Sequence, residues 1–177
     1  MRITPKLVLL ALLLSFAAAP VLSVKTGNAQ PQHRSQPGED LVFEHLTVVE
    51  GLPENSVWSM LQDHLGLLWF GTQNGLVKYD GSSYTIYKPD PDDPHSLSGQ
   101  HIYAIHEDAE GDLWIGTVQG GLNHFDRETE RFTRYQHDED DPTSLGHNTV
   151  FSILEDEDGM LWLATMGGGL NRFDPDT

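Results

Sequence analysis

Cysteine is absent from the 177 residues. No disulfide scaffold and no thiolate metal site can form, although export stays open, because an oxidising compartment permits disulfides without requiring them. Basic side chains are scarce: ten Lys and Arg stand against 27 Asp and Glu, a net charge of −17. Beyond residue 30 the balance is seven basic against all 27 acidic side chains, a net −20. Binding to phosphates depends on Lys and Arg displacing counterions, so nucleic acid is not expected as a partner. Such acidity serves solubility.

Motifs of catalysis are missing too. There is no Walker-type loop, no kinase nucleotide-binding motif and no helix able to present a phosphoacceptor histidine. The nine histidines, from His33 to His147, show no ligand spacing such as His-Glu-x-x-His. Asp156-Glu157-Asp158-Gly159 resembles the start of a calcium loop but lacks the later ligands, and reads as a plain turn. The acidic stretches Asp90–Asp93 and Asp138–Asp141 read as solvated loops. No catalytic residue, cofactor site or metal site is assigned, and the chain is not expected to be an enzyme by itself.

Only one long apolar run exists, Leu7 to Leu22, preceded by Arg2 and Lys6 and followed by small and polar residues. That is the layout of a secretory signal peptide. The run is shorter than the roughly 20 residues a spanning helix needs, and Pro20 interrupts it. Residues 1–29 are therefore read as the signal peptide, with cleavage after Ala29, and residues 30–40 as a flexible leader with almost no apolar side chains to bury.

What the chain does have is repetition. Asp-x-x-Gly-x-Leu-Trp-x-Gly/Ala-Thr occurs from Asp63 to Thr72, Asp108 to Thr117 and Asp156 to Thr165. The copies share Asp63, Gly66, Trp69, Gly71 and Thr72; Asp108, Gly111, Trp114, Gly116 and Thr117; and Asp156, Gly159, Trp162 and Thr165, with Ala164 in place of the glycine. Trp69, Trp114 and Trp162 lie 45 and then 48 residues apart, a period that marks one supersecondary unit used repeatedly.

Each unit offers short segments of β composition separated by turn residues. The Asp of each phrase can accept hydrogen bonds from turn amides, and Gly66, Gly111 and Gly159 can supply positive φ. Glycines at 75, 120–121 and 167–169 are read the same way. Consecutive apolar residues such as Leu67-Leu68-Trp69-Phe70 imply burial on both faces, as in propeller blades covered by their neighbours. The expected fold is all-β: a partial β-propeller over 41–177, with four-stranded antiparallel blades at about 56–87, 101–135 and 148–177. The third lacks its fourth strand. The Trp residues are read as inter-blade packing, and residues 41–48 as an outer strand that closes the last blade of a complete ring. Propellers close with about four to eight blades, so the chain is expected to be the N-terminal part of a larger ring.

The repeat resembles the two-component regulator propeller repeat, on Glu107-Asp108-x-x-Gly111-x-Leu113-Trp114-Ile115-Gly116-Thr117, then Gly120-Gly121-Leu122-Asn123-x-Phe125-Asp126 and Thr129, Phe132 and Tyr135. That family forms the periplasmic sensor region of bacterial membrane histidine kinases. The resemblance implies an exported, membrane-anchored parent, an extracellular ligand for which glycans are the common class, a kinase module and remaining blades as partners, and a homodimeric receptor. A diguanylate cyclase parent, a secreted propeller enzyme such as a lyase, and a freestanding interaction scaffold stay open. Trp58, Tyr103 and Phe151 occupy equivalent places on the innermost strands and are the candidate ligand-facing residues, with inter-blade packing as their other reading.

Overall fold

The computed structural model describes residues 42–175. Eleven strands form three antiparallel sheets, one per repeat. The first blade is β1 (Val57–Gln62), β2 (Leu68–Thr72), β3 (Gly75–Tyr79) and β4 (Tyr84–Tyr87), paired in chain order. The second is β5 (Ile102–Glu107), β6 (Leu113–Thr117), β7 (Leu122–Asp126) and β8 (Arg131–Tyr135), and the third is β9 (Val150–Glu155), β10 (Leu161–Thr165) and β11 (Gly169–Phe173). Among the described residues the third sheet has no fourth strand.

The hairpin joining the first two strands of each blade is built by the repeated Asp and Gly. Asp63 Oδ1 accepts from the Leu65 and Leu67 amides at 3.1 and 2.8 Å, and the Gly66 amide donates to the Asp63 carbonyl at 2.9 Å. Gly66, Gly111 and Gly159 take φ of +85°, +92° and +79°, a region that a side chain disfavours. At the next connection the expectation of positive φ holds for Gly75, Gly121, Gly167 and Gly169 but not for Gly120 or Gly168. Gly120 is required for a different reason: a Cβ there would lie 2.5 Å from Thr117 Oγ1 and 2.6 Å from Ser98 Oγ.

The cores lie between blades. Trp69 and Leu76 of the first blade pack with Ile102, Leu113, Ile115, Phe125 and Phe132 of the second. Trp114 and Leu122 of the second pack with Val150, Leu161 and Leu163 of the third. Trp69 and Trp114 are buried, whereas Trp162, which faces no blade among the described residues, is half-buried. Gly71 and Gly116 keep negative φ and sit against the next innermost strand, where a Cβ would lie 2.8 Å from Ile102 Cγ2 and 3.0 Å from Val150 Cγ1.

Residues 43–47 form no strand here. A strand needs a ladder partner to satisfy its backbone groups, and no sheet edge among the described residues pairs with this segment. The expected signal peptide and leader, 1–29 and 30–40, lie outside the described residues.

Candidate functional site

Trp58, Tyr103 and Phe151 each sit at a β-bulge on the innermost strand of their blade. In the first blade Val57 pairs with Thr72 but Ser59 pairs with Gly71, so Trp58 is the extra residue. Ile102 and Ala104 flank Tyr103 in the same way opposite Thr117 and Gly116, and Val150 and Ser152 flank Phe151 opposite Thr165 and Ala164. A bulge leaves one residue out of the ladder and re-aims its side chain. Here the three side chains meet: the rings of Trp58 and Tyr103 are 5.2 Å apart and tilted by 55°, and those of Tyr103 and Phe151 are 5.4 Å apart at 80°.

The row therefore runs from blade to blade along the innermost strands. Trp58 remains 55% exposed and Phe151 45%, with Tyr103 half-buried between them. Exposed π faces in a row that carries no charge can stack on a flat ligand or on the apolar face of a sugar ring. Both readings of these residues keep support, since the rings also contact one another across blades.

A second cluster locks the blades instead. Asp63, whose side chain has no exposure, accepts from Trp69 Nε1 at 2.8 Å and from Arg127 Nη1 at 2.8 Å, and Arg127 Nη2 donates to Glu107 Oε1 at 2.7 Å. Arg127 comes from the turn after β7 and bridges two blades. Burial acts to raise the Asp63 carboxyl, but the bonds from Trp69, Arg127 and the Leu67 amide outweigh it and hold the group below its ordinary value. His64 completes the cluster, with Nδ1 2.6 Å from Glu107 Oε1 and its amide donating to Glu107 Oε2 at 2.9 Å. The charged groups of this cluster are engaged across the junction between blades, which suits a structural lock rather than a ligand.

The carboxylate of the third repeat and those of the acidic links bind within their own turns. Asp156 Oδ1 accepts from the Asp158 and Met160 amides, each at 3.0 Å, and Oδ2 from Trp162 Nε1 at 2.7 Å. In the acidic links, Asp90 and Asp138 accept from the amides of Asp92 and Asp140, each at 2.9 Å. Among the described residues no group of three or more His, Asp or Glu is placed to hold a metal ion. Two features are not expected from residue types alone. The Asp–indole bond has a visible signal, the constant six-residue interval from Asp to Trp in all three copies; the Arg127 bridge has none, because its partners lie in distant parts of the chain.

The model of the two component regulator propeller matches residues 51–74, 96–119 and 144–167. A 59-residue stretch is 42% identical to Histidine kinase P4 of Formosa agariphila, covering 33% of this chain and 4% of that protein. The fold is similar to the extracellular domain assigned to the hybrid two component system BT3049 of B. thetaiotaomicron, with a TM-score of 0.64 and 29% identity over 76% of this chain and 20% of that one. The extracellular domain of BT4673 from the same organism matches with a TM-score of 0.58 and 32% identity, over 68% of this chain and 17% of that one. The chain thus spans a small fraction of its curated relative and about a fifth of the solved domains. This chain carries three copies of the two component regulator propeller repeat, folded as adjacent antiparallel blades.

Proposed function

We propose that the chain is the exported, ligand-sensing propeller portion of a two-component system whose complete protein is a membrane-anchored histidine kinase. The observation that carries the reading is the fold shared with two extracellular domains of hybrid two component systems at TM-scores of 0.64 and 0.58. The apolar run at Leu7–Leu22 supports export to the periplasmic side. A ligand that contacts one arrangement of the propeller better than another shifts the population toward it, and no more than its differential affinity allows. The aromatic row is the candidate contact, a glycan the candidate class, and a homodimeric receptor the route by which the shift reaches the kinase.

The test is phosphoryl transfer in membranes from cells carrying the complete gene, with and without polysaccharide mixtures. A ligand-dependent change in phosphorylation is expected, and Trp58→Ala and Phe151→Ala should abolish it while the variant proteins still accumulate folded in the membrane. A complete gene that encodes no kinase core sinks the reading. Response retained in both variants removes the aromatic row from it.

A further inference from the structure

The link between the second and third blades departs from the one between the first and second. Aligned on Asp92-Asp93-Pro94 and Asp140-Asp141-Pro142, the two links keep Ser96 and Leu97 as Ser144 and Leu145. Asn123 and Asn171 accept the amides of Ser98 and Gly146 at 2.9 and 2.8 Å in the same manner. Residues that the fold requires therefore recur. His137 and His147 do not: Pro89 and Gly99 stand at their places in the first link, and neither carries a side-chain donor or acceptor.

His137 and His147 line a cleft of about 680 Å³ together with Gln119, Glu139, Asn148 and Met166. Its walls are the turn after β6, the turn after β10 and the link between the two blades, so it is formed at an internal junction. The same end of the blades carries the aromatic row. The Val118 amide donates to the His101 carbonyl at 2.9 Å and the Met166 amide to the Thr149 carbonyl at 3.0 Å, two residues before Tyr103 and Phe151 respectively. Cleft and row thus share one face of the blades.

The polar groups of the cleft are held in defined states. His137 Nδ1 lies 2.7 Å from the Leu145 carbonyl, which can only accept, so this nitrogen carries the proton and Nε2 of the neutral ring is an acceptor. His147 is the reverse: Nδ1 accepts the Thr149 amide at 3.0 Å, which leaves the proton on Nε2 as a donor. Gln119 takes φ of +61°, where the corresponding place in the third blade is Gly167 at +81°. A side chain is disfavoured in that region and glycine is not, and backbone strain of this kind gathers at ligand sites. The backbone amide of Gln119 donates to Thr149 Oγ1 at 3.2 Å, while its side-chain carboxamide has no hydrogen-bond partner among the described residues.

We propose that this cleft binds an uncharged, hydroxyl-bearing ring, one unit of a neutral saccharide, while a neighbouring unit stacks on Tyr103 and Phe151. Hydroxyl groups donate and accept at once, so a ring of them can meet the His137 acceptor, the His147 donor and the Gln119 carboxamide, which does both. Val118 and Met166 supply apolar contact. Anionic units are excluded: Glu139 borders the cleft, no Lys or Arg lines it, and the chain beyond residue 30 carries a net −20. The volume lies within the roughly 300–1,000 Å³ of small-molecule sites. The site rests on the sensory reading only for the choice of an extracellular ligand, and it narrows the glycan class to its neutral members.

The experiment is isothermal titration of the complete protein in detergent micelles with oligosaccharides released from a neutral glucan, galactan and mannan, and with oligogalacturonate as the anionic counterpart. Saturable binding is expected for at least one neutral preparation and not for the anionic one. Gln119→Gly relieves the backbone and removes the carboxamide; it should weaken binding by about tenfold, the worth of one hydrogen bond, without lowering the thermal midpoint. His147→Asn keeps an acceptor for the Thr149 amide but loses the ring donor, and should weaken binding to a similar extent. Gln100→Ala, at the place of Asn148 in the first link, should bind as the unaltered protein does. Undiminished affinity in both cleft variants overturns the proposal, as does a preference for oligogalacturonate or a lack of binding by every neutral preparation. Binding is read apart from phosphorylation: a complete protein that binds but encodes no kinase core sinks the sensory reading alone, and a saccharide response that survives both cleft variants sinks this site alone.

Discussion

The indole nitrogen of Trp114 donates to Asp108 Oδ2 at 2.7 Å, six residues upstream in the same hairpin. Asp63 with Trp69 and Asp156 with Trp162 repeat the bond at 2.8 and 2.7 Å. One carboxylate thus caps the turn amides with one oxygen and fixes the core indole with the other. Asp108→Ala leaves a buried N–H without its acceptor and uncaps the turn, at a cost of about 1–3 kcal/mol. Trp114→Ala removes the ring from the junction altogether and should cost about 3–5 kcal/mol. Urea unfolding checks both, and a loss below about 1 kcal/mol for the tryptophan variant would contradict its burial.

Acid should loosen the first junction through Asp63. Its carboxyl is held low in the folded state by the Trp69 and Arg127 bonds, against the effect of burial. A depressed folded value contributes stability that is fully present above the unfolded carboxylate range, near pH 4, and is lost as pH falls through the folded value. The urea midpoint should therefore hold from neutrality to about pH 5 and then decline, more gently in Asp63→Asn. Acid limbs of equal steepness in the two proteins would rule the assignment out.

Arg127 spans Asp63 and Glu107 at 2.8 and 2.7 Å with only 19% of its side chain exposed. Removing it leaves a fully buried carboxylate with its amide and indole donors but no counter-charge, so Arg127→Ala should cost about 3 kcal/mol. Lysine restores a charge but not the fork that reaches two acceptors; Arg127→Lys should recover less than half of the loss. Differential scanning calorimetry of the three proteins at one pH makes the comparison.

Two glycines of the repeat should fail in different ways. Gly159 has φ of +79° and open space where a Cβ would stand, so Gly159→Ala costs about 1 kcal/mol of backbone strain and Gly159→Asn less, since Asn tolerates that region. Gly120 is crowded by Thr117 Oγ1 and Ser98 Oγ at negative φ. There Asn should be worse than Ala, because the penalty is overpacking. The opposite order at either site, read from thermal midpoints, would refute its explanation.

Much of the architecture was legible because the determinants are local and repeated. Asp63-x-x-Gly66 names its own turn, and the strand it starts, Leu68–Thr72, reads as buried on both faces from four consecutive apolar residues. Trp58, Tyr103 and Phe151 were legible as equivalent positions, but the bulges that turn them into one row were not, since a bulge is a matter of pairing register between strands. Gly120 misled for a related reason: its neighbours Ser98 and Gly99 arrive from a link more than twenty residues earlier.

By itself the sequence determined the repeat, the all-β class and the turn chemistry, because each is written in spacings of ten residues or fewer and then repeated three times. The tertiary structure alone decided which carboxylate meets Arg127, which glycine is crowded rather than twisted, and that the aromatic residues form a row. Those outcomes depend on groups meeting across gaps of 20 to 64 residues in the chain, and no local pattern encodes a distance of that kind.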